Sequence, residues 1–72
     1  MTNQKLRDAR ANADMTQEAV ARAANIPVRL YQRYEYGDVA PGVKAAIRLA
    51  KALHCRVEDI FGEETHHGKE TV

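Results

Sequence analysis

A chain of 72 residues is long enough for one small domain but too short to bury a large substrate pocket. Apolar residues make up 44% of it, yet the large aromatic anchors are three Tyr and one Phe, with no Trp, so the composition weighs against an enzyme. Residues 1–56 carry ten Lys or Arg against five Asp or Glu, and residues 57–72 carry one against five. The first part is therefore basic, which favours polyanionic partners, and the end is acidic.

The sequence also narrows the compartment and the chemistry. Its N-terminus is polar and no apolar run approaches the ~20 residues of a membrane span, so we expect neither a signal peptide nor membrane insertion. The single cysteine, Cys55, is expected to be a small buried side chain, and a chain without a disulfide framework fits the cytoplasm. His66 and His67 have no third ligand at metal spacing, and the sequence holds no nucleophile–base set. We therefore expect a cytoplasmic protein without enzymatic activity, cofactor, metal or small-molecule substrate.

Two helices are predicted in the first third of the chain. Over residues 3–13 the apolar side chains recur at helical spacing, which predicts the first helix. Thr16 has the character of an N-cap, since its hydroxyl can accept a hydrogen bond from a free amide of the next turn. Met15 and Val20 occupy the two positions of a hydrophobic staple. The second helix is therefore predicted to start after Thr16 and to run to Ala24.

A sharp corner and a third helix follow. Asn25 tolerates the left-handed conformation that ends many helices, and Pro27 presets the first turn of the next one. The third helix is predicted from Val28 to Tyr36, with Gly37 at its C-terminal end. At about 100° per residue, its side chains divide into two groups on opposite sides. The outer group is Val28, Arg29, Gln32, Arg33 and Tyr36, and the inner group is Leu30, Tyr31 and Tyr34.

The rest of the chain predicts one longer helix, one short helix and a tail. The fourth helix is expected from Val43 to His54, and a last turn from Val57 to Phe61. In the fourth helix the expected inward side chains are Val43, Ala46, Ile47, Leu49, Ala50 and Leu53, and the outward ones are Lys44, Arg48 and Lys51. Residues 1–62 are thus expected to form the domain, and residues 63–72 a polar acidic tail that is disordered.

The outer face of the third helix carries side chains suited to reading DNA. The major groove admits one α-helix and displays base identity as hydrogen-bond donors, acceptors and the thymine methyl group. Arg29 and Arg33 can each bond two acceptors of guanine. Gln32 can pair with adenine, and Val28 offers an apolar surface to a methyl group. Exposed Arg and Gln are also common on helix surfaces in general, so this pattern alone leaves both interpretations open.

A family resemblance favours the DNA-reading interpretation. Its motifs are Thr16-Gln17-Glu18, Tyr34-Glu35-Tyr36-Gly37, Ala50-Lys51-Ala52-Leu53 and Asp59-Ile60-Phe61. In this order they resemble the phage-repressor/Cro-type (XRE-like) helix-turn-helix family over residues 3–61. The resemblance implies an all-α, lambda-repressor-like domain of five helices, with the helix-turn-helix in the second and third. It also implies sequence-specific binding to an operator in double-stranded DNA as a transcriptional regulator, usually a repressor.

The resemblance also implies roles for individual side chains. The positions that match the family's base-reading residues are Val28, Arg29, Gln32 and Arg33. Thr16 and Gln17 match residues that contact the DNA backbone, and Gln17 also braces the reading helix. Tyr36, on the outer face, is expected to touch the sugar-phosphate backbone. Arg10 and Glu35 match a pair that joins the first and third helices in several relatives, and two unrelated surface charges are the alternative.

Several positions depart from the family pattern. Pro27 stands where a Ser or Thr usually caps the third helix, and Arg56 where a Ser usually opens the fifth. The corner 38–40, Asp-Val-Ala, replaces Lys or Arg residues that often contact phosphates, so we expect weak binding with a shallow salt dependence. A homodimer on two half-sites is expected, with its interface near Ile60 and Phe61, which either extend the core or form an apolar patch. The alternative function is an antitoxin-like or adaptor module that keeps the fold and binds a protein rather than DNA.

Overall fold

The computed structural model describes residues 2–61, which form five α-helices and no strand. α1 spans Gln4–Asn12, α2 Gln17–Ala24, α3 Val28–Tyr36, α4 Val43–Ala52 and α5 Val57–Phe61. The predicted all-α class with five helices is confirmed. The predicted end of the fourth helix is wrong, because the chain leaves the helix after Ala52 and turns at His54. No helix in the described range is both long enough and apolar enough to cross a bilayer. The predicted tail, residues 63–72, lies outside the described residues.

Side chains cap the N-termini of three helices. Asn3 Oδ1 and Thr16 Oγ1 each accept a hydrogen bond at 3.0 Å from the amide three residues further along. In α5 the capping side chain lies inside the helix and reaches back along the chain. Asp59 Oδ2 accepts a hydrogen bond at 3.0 Å from the backbone amide of Arg56, three residues earlier. This bond gives α5 one of the two hydrogen bonds of a capping box. The other bond would need an acceptor on the side chain of Arg56, which has none. α3 begins after Pro27 without a side-chain cap, as the sequence predicts.

Four helices are followed by a residue with a left-handed backbone, which lets the chain turn sharply. These residues are Asp14, Asn25, Gly37 and His54, with φ of 58°, 61°, 82° and 56°. In each case the next amide bonds back to a carbonyl of the last helical turn, for example Ile26 to Ala21 at 2.9 Å. The predictions for Asn25 and Gly37 are confirmed. The turn at Asn25 sets the corner between α2 and α3.

The core is formed by inward faces from all five helices. α2 packs chiefly against α4, α1 packs against α5, and α3 contacts both α1 and α2. The buried apolar residues are Leu6, Val20, Ala21, Ala24, Tyr31, Tyr34, Ala46, Leu49, Ala50, Leu53, Ile60 and Phe61. The buried alanines lie on α2 and α4, where small side chains let two helix backbones come close together. Tyr31 and Tyr34 point inward as predicted, so the rotation of α3 about its axis is fixed.

Two apolar side chains that were expected to face inward on α4 are exposed. Val43 is 58% exposed and Ile47 is 42% exposed, so the prediction is wrong for both. The buried stripe of α4 runs from Ala46 to Leu53, and about 100° of rotation per residue places Ile47 on the flank of that stripe. Val43 lies in the first turn, before the stripe begins.

The short helix α5 completes the core rather than offering a surface. Ile60 is fully buried and Phe61 is 6% exposed. Of the two possibilities for these residues, extension of the core is the one observed. The dimer interface expected at these side chains therefore has no exposed apolar residue of theirs to use.

Candidate nucleic-acid interface

The outer face of α3 presents two arginines to solvent. Arg29 and Arg33 are both exposed, and their spacing of four residues puts them on the same side of the helix. Tyr36, in the last turn, is 53% exposed. Because Tyr31 and Tyr34 on the opposite side are buried, the arginines are held outward by the packing of the helix that carries them.

The other two predicted base-reading residues are only partly exposed. Val28 is half-buried and packs against the core, so only part of its side chain faces solvent. Gln32 is half-buried, and its Nε2 donates a hydrogen bond to Gln17 Oε1 at 3.1 Å. The face is therefore two exposed arginines flanked by a glutamine tied to α2 and a partly covered valine.

The start of α2 lies beside this face, since Gln17 bonds to Gln32 across the corner. Thr16 is exposed, and its Oγ1 accepts from the amide of Ala19, which leaves its hydroxyl hydrogen to donate elsewhere. Gln17 Nε2 uses one of its two hydrogens to donate to Glu35 Oε1 at 3.0 Å. Both predicted backbone-contact residues of α2 thus keep a donor that their bonds to the protein do not use.

A buried carboxylate joins α1, α2 and α3 beneath the face. Glu35 is 1% exposed, and its Oε2 accepts from Arg10 Nε at 2.5 Å and from the Tyr31 hydroxyl at 2.6 Å. Glu35 Oε1 accepts from Gln17 Nε2 and lies 3.9 Å from Arg7 Nε. Arg10 and Glu35 are thus in direct contact between α1 and α3, and the carboxylate also accepts hydrogen bonds from Tyr31 and Gln17.

These contacts keep Glu35 ionised. Burial acts to raise the pKa of Glu35, but hydrogen bonds from Arg10, Tyr31 and Gln17 outweigh it and hold that pKa below its usual value. Burial, reinforced by the hydrogen bond to Glu35, raises the pKa of Tyr31, so its hydroxyl remains a donor. Within residues 2–61 no buried side-chain nitrogen or oxygen lacks a hydrogen-bond partner. The network is therefore satisfied with Glu35 as a pure acceptor.

Two contacts in this region were not predicted from the sequence, and a third was implied only by the resemblance. Tyr31 and Glu35 are four residues apart on α3, a spacing that is the local signal for their bond. The resemblance implies that Gln17 braces the third helix, but no local pattern specifies its bond to Gln32, which depends on how α2 approaches α3. Arg48, expected to point outward, is exposed, yet its Nε donates to the Ala24 carbonyl at 3.0 Å. That bond fastens α4 to the C-terminal end of α2, where a cation is favourable.

Other candidate groups add no chemistry to this face. Cys55 is half-buried rather than fully buried, and burial, with a smaller effect of the Asp59 charge, raises the pKa of its thiol. The thiol therefore stays protonated and unreactive. Among the described residues, no three His, Cys, Asp or Glu side chains come together as a metal site, and His66 and His67 lie outside that range.

Comparison with known proteins supports the resemblance. A family model described as helix-turn-helix matches residues 6–60, most of the chain. Two proteins of Archaeoglobus fulgidus, each named as an uncharacterized HTH-type transcriptional regulator, are 30% identical to this chain over 57 residues. The aligned segment covers 79% of this chain and 80% and 81% of the two relatives. No solved structure matches the chain significantly.

Proposed function

Since the chain belongs to the XRE/Cro-type helix-turn-helix family, we propose that it is a DNA-binding transcriptional regulator that reads its operator with α3. One observation carries the proposal: Arg29 and Arg33 are exposed together on the side of α3 opposite its two buried tyrosines. A helix held in this way can enter the major groove with both guanidinium groups facing the base edges. Each can donate two hydrogen bonds to O6 and N7 of a guanine.

Val28 and Gln32 complete the proposed base-reading set. Gln32 offers an amide edge for adenine, and the exposed part of Val28 offers a contact for a thymine methyl group. Arg10 and Glu35 do not reach DNA in this proposal. They act as a positioning ion pair that holds α3 against α1.

The proposed backbone contacts come from the start of α2 and the end of α3. The Thr16 hydroxyl and the second Gln17 amide hydrogen can donate to phosphate oxygens, and Tyr36 can donate from its exposed hydroxyl. None of these groups is a cation, and the following corner, Asp38 to Ala40, adds none. We therefore expect a shallow dependence of affinity on salt.

The proposed assembly is a homodimer that represses transcription in the cytoplasm by occupying its operator. One α3 contacts few base pairs, so two copies on half-sites about one helical turn apart supply the specificity. Val43 and Ile47 are one turn apart and exposed on α4, which supports them as the surface that a second copy covers. The family is typically non-enzymatic, and we propose no catalytic activity and no cofactor.

The test is selection from a pool of random-sequence duplexes followed by binding measurements on the enriched DNA. We expect wild-type protein to enrich a two-part motif and to bind it above unrelated duplex. Arg29→Ala and Arg33→Ala should each lose about 1–3 kcal/mol of binding, or roughly 5- to 150-fold in affinity. Arg56→Ala, which removes an exposed arginine from the N-terminal end of α5, is the matched control and should bind like the wild type. An enriched motif bound equally well by both α3 variants would contradict the assignment of α3.

A second candidate function is a module that binds another protein and reads no DNA. The cation-free corner after α3 and the exposed Val43 and Ile47 favour it. The same selection separates the two candidates. If the wild-type protein enriches no motif even at low salt, the interaction module is the better account.

A further inference from the structure

We propose that the acidic tail, residues 63–72, binds back to the cations of α4 in the same chain and keeps that surface from attracting DNA. The docking of the tail does not depend on the proposed function, whereas its consequence for DNA selectivity rests on it. The evidence is a helix face with three cations and no acid, a short connection to it from the end of α5, and the opposite charge of the tail.

The cations lie along the solvent side of α4. Lys44, Arg48 and Lys51 are exposed, and their spacing of four and three residues places them in one row, which we call the α4 row. Val43 and Ile47, proposed above as the surface for a second copy, lie along one edge of it. At about 100° of rotation per residue, the row lies opposite the buried side of the helix, which is formed by Ala46, Leu49, Ala50 and Leu53.

The described part of the protein does not balance the charge of the α4 row. α4 contains no Asp or Glu, and no ion pair within residues 2–61 includes a member of the row. Arg48 uses its Nε to bond the Ala24 carbonyl, which leaves the two terminal nitrogens of its guanidinium group. Such a row attracts polyanions in general. DNA held there would be bound by a helix that packs chiefly on α2 and α5, away from the reading face of α3.

The tail begins within reach of the α4 row. α5 packs against α4 and ends at Phe61, which is buried in the core. Glu64 follows Phe61 by three residues, and an extended chain spans about 3.3–3.6 Å per residue, so the two can be up to about 10 Å apart. The α4 row is itself only about 10 Å long, at a rise of about 1.5 Å per residue. Glu70, nine residues beyond Phe61, can therefore reach any point of it.

The tail also has the charge that complements the α4 row. Residues 63–72 contain three Glu against one Lys, a side-chain charge of −2 with His neutral. Exposed ion pairs are individually weak, but the connection to α5 keeps the tail at a high effective concentration beside the row. α1 also packs against α5, but there Lys5 and Arg7 stand next to Asp8, which repels the tail. With the row covered, unrelated duplex loses affinity more than the operator does, because binding to the operator also uses base contacts.

A spin label on the tail tests the docking in the full chain. A nitroxide is attached to Thr65→Cys in a Cys55→Ala background, and the broadening of backbone amide signals is measured by nuclear magnetic resonance. We expect broadening along α4 from residue 44 to residue 51 at low salt, most of which is lost at about 0.5 M salt. A mixture of spin-labelled protein with isotope-labelled protein that carries no nitroxide should show no such broadening, because the contact lies within one chain.

Two matched variants identify the cations that the tail contacts. Lys44→Gln/Lys51→Gln should remove most of the broadening on α4. Lys5→Gln/Arg7→Gln removes the same charge from α1 and should leave it unchanged. The inference is overturned if the label broadens α1 or α3 instead of α4, if nothing in residues 2–61 is broadened, if the broadening arises between copies, or if the change of both α4 lysines leaves it in place.

Binding to unrelated duplex tests the consequence for selectivity. Glu63→Gln/Glu64→Gln/Glu70→Gln should bind it roughly fivefold more tightly at low salt, with a steeper salt dependence, by about 0.9 in log–log slope for each cation freed to neutralise a phosphate. Affinity for a selected motif should rise less, and adding Lys44→Gln/Lys51→Gln should remove most of both gains. Gains that survive the lysine changes would overturn the inference, since the tail would then act through net charge alone. A wild type that enriches no motif would overturn the proposed function, while the spin-label measurement would still decide the docking.

Discussion

Replacing Arg10 with methionine is expected to lower the free energy of unfolding by about 2–3 kcal/mol at pH 7. Methionine keeps much of the apolar stem but removes the donor to Glu35 and the donor to the Met15 carbonyl at 3.1 Å. Removing one partner of a buried ion pair typically costs ~3–5 kcal/mol, because the remaining charge is buried without compensation. The lower value applies because Arg10 is 23% exposed, and because Tyr31 and Gln17 still donate to the carboxylate.

The cost of this substitution is expected to depend on pH. In the wild type the pKa of Glu35 is held below its usual value of about 4.3, so its stabilising contribution is full above that pH and is lost as the pH falls through the folded-state pKa. Without Arg10 the main group that lowers this pKa is gone, and burial raises it. The variant then gains a proton on Glu35 at higher pH than the wild type does, so the difference in stability between the two proteins should shrink on acidification.

Urea unfolding followed by circular dichroism measures both effects. For a domain of this size a slope of ~1 kcal/mol per molar urea converts the expected loss into a midpoint lower by about 2–3 M at pH 7. Arg7→Met is the matched control, since Arg7 lies on the same helix, 3.9 Å from the same carboxylate, with its side chain 50% exposed. It should change stability by less than about 0.5 kcal/mol. Equal losses in the two variants, or a loss for Arg10→Met that does not vary with pH, would show that the contact between Arg10 and Glu35 does not stabilise the fold in this way.

Three further predictions concern the core, a helix end and the assembly. Ile60→Ala should lower the free energy of unfolding by about 3 kcal/mol, because Ile60 is fully buried, and a loss under ~1 kcal/mol in urea unfolding would argue against that packing. Asn25→Val should lower the free energy of unfolding by about 1–2 kcal/mol, because φ at Asn25 is 61°. Asn25→Gly should stay within about 0.5 kcal/mol of the wild type. Equal stability of the two variants would be inconsistent with the left-handed turn. Ile47→Asp should convert a dimer to a monomer in sedimentation equilibrium while Lys44→Asp does not, and a dimer that survives Ile47→Asp would rule out this surface of α4.

The sequence was sufficient for the parts of the fold that local chemistry determines. Thr16 was identified as a cap because a hydroxyl at that position satisfies a free amide, and Gly37 as a helix end because it adopts a left-handed backbone without strain. Tyr31 and Tyr34 were assigned to the core from their rotational phase on α3, which holds for any regular helix. These are properties of a residue and its near neighbours along the chain.

The parts that were not predicted depend on how the helices meet. Histidine is found in many backbone conformations, so His54 alone does not indicate that the fourth helix has already ended, yet its φ is 56° and the chain turns there towards α5. Ile47 is apolar and lies close to the buried side of α4 in helical rotation, so the sequence favours burial. Its exposure depends on which side of α4 the neighbouring helices cover. The resemblance implies that Gln17 braces α3, but its bond to Gln32 is a tertiary contact that depends on how α2 and α3 cross at the corner. Local periodicity indicates which face is apolar but not how far the neighbours extend over it.

The proposed function requires that the outer face of α3 is the surface that contacts DNA bases. The most direct measurement is titration of isotope-labelled protein with a selected duplex, followed by nuclear magnetic resonance of backbone amides and arginine side chains. We expect the largest changes at the Arg29 and Arg33 guanidinium groups and the Gln32 amide, with smaller changes at the start of α2 and little change in α5. Changes concentrated at Val43 and Ile47, with the α3 side chains unaffected, would contradict it.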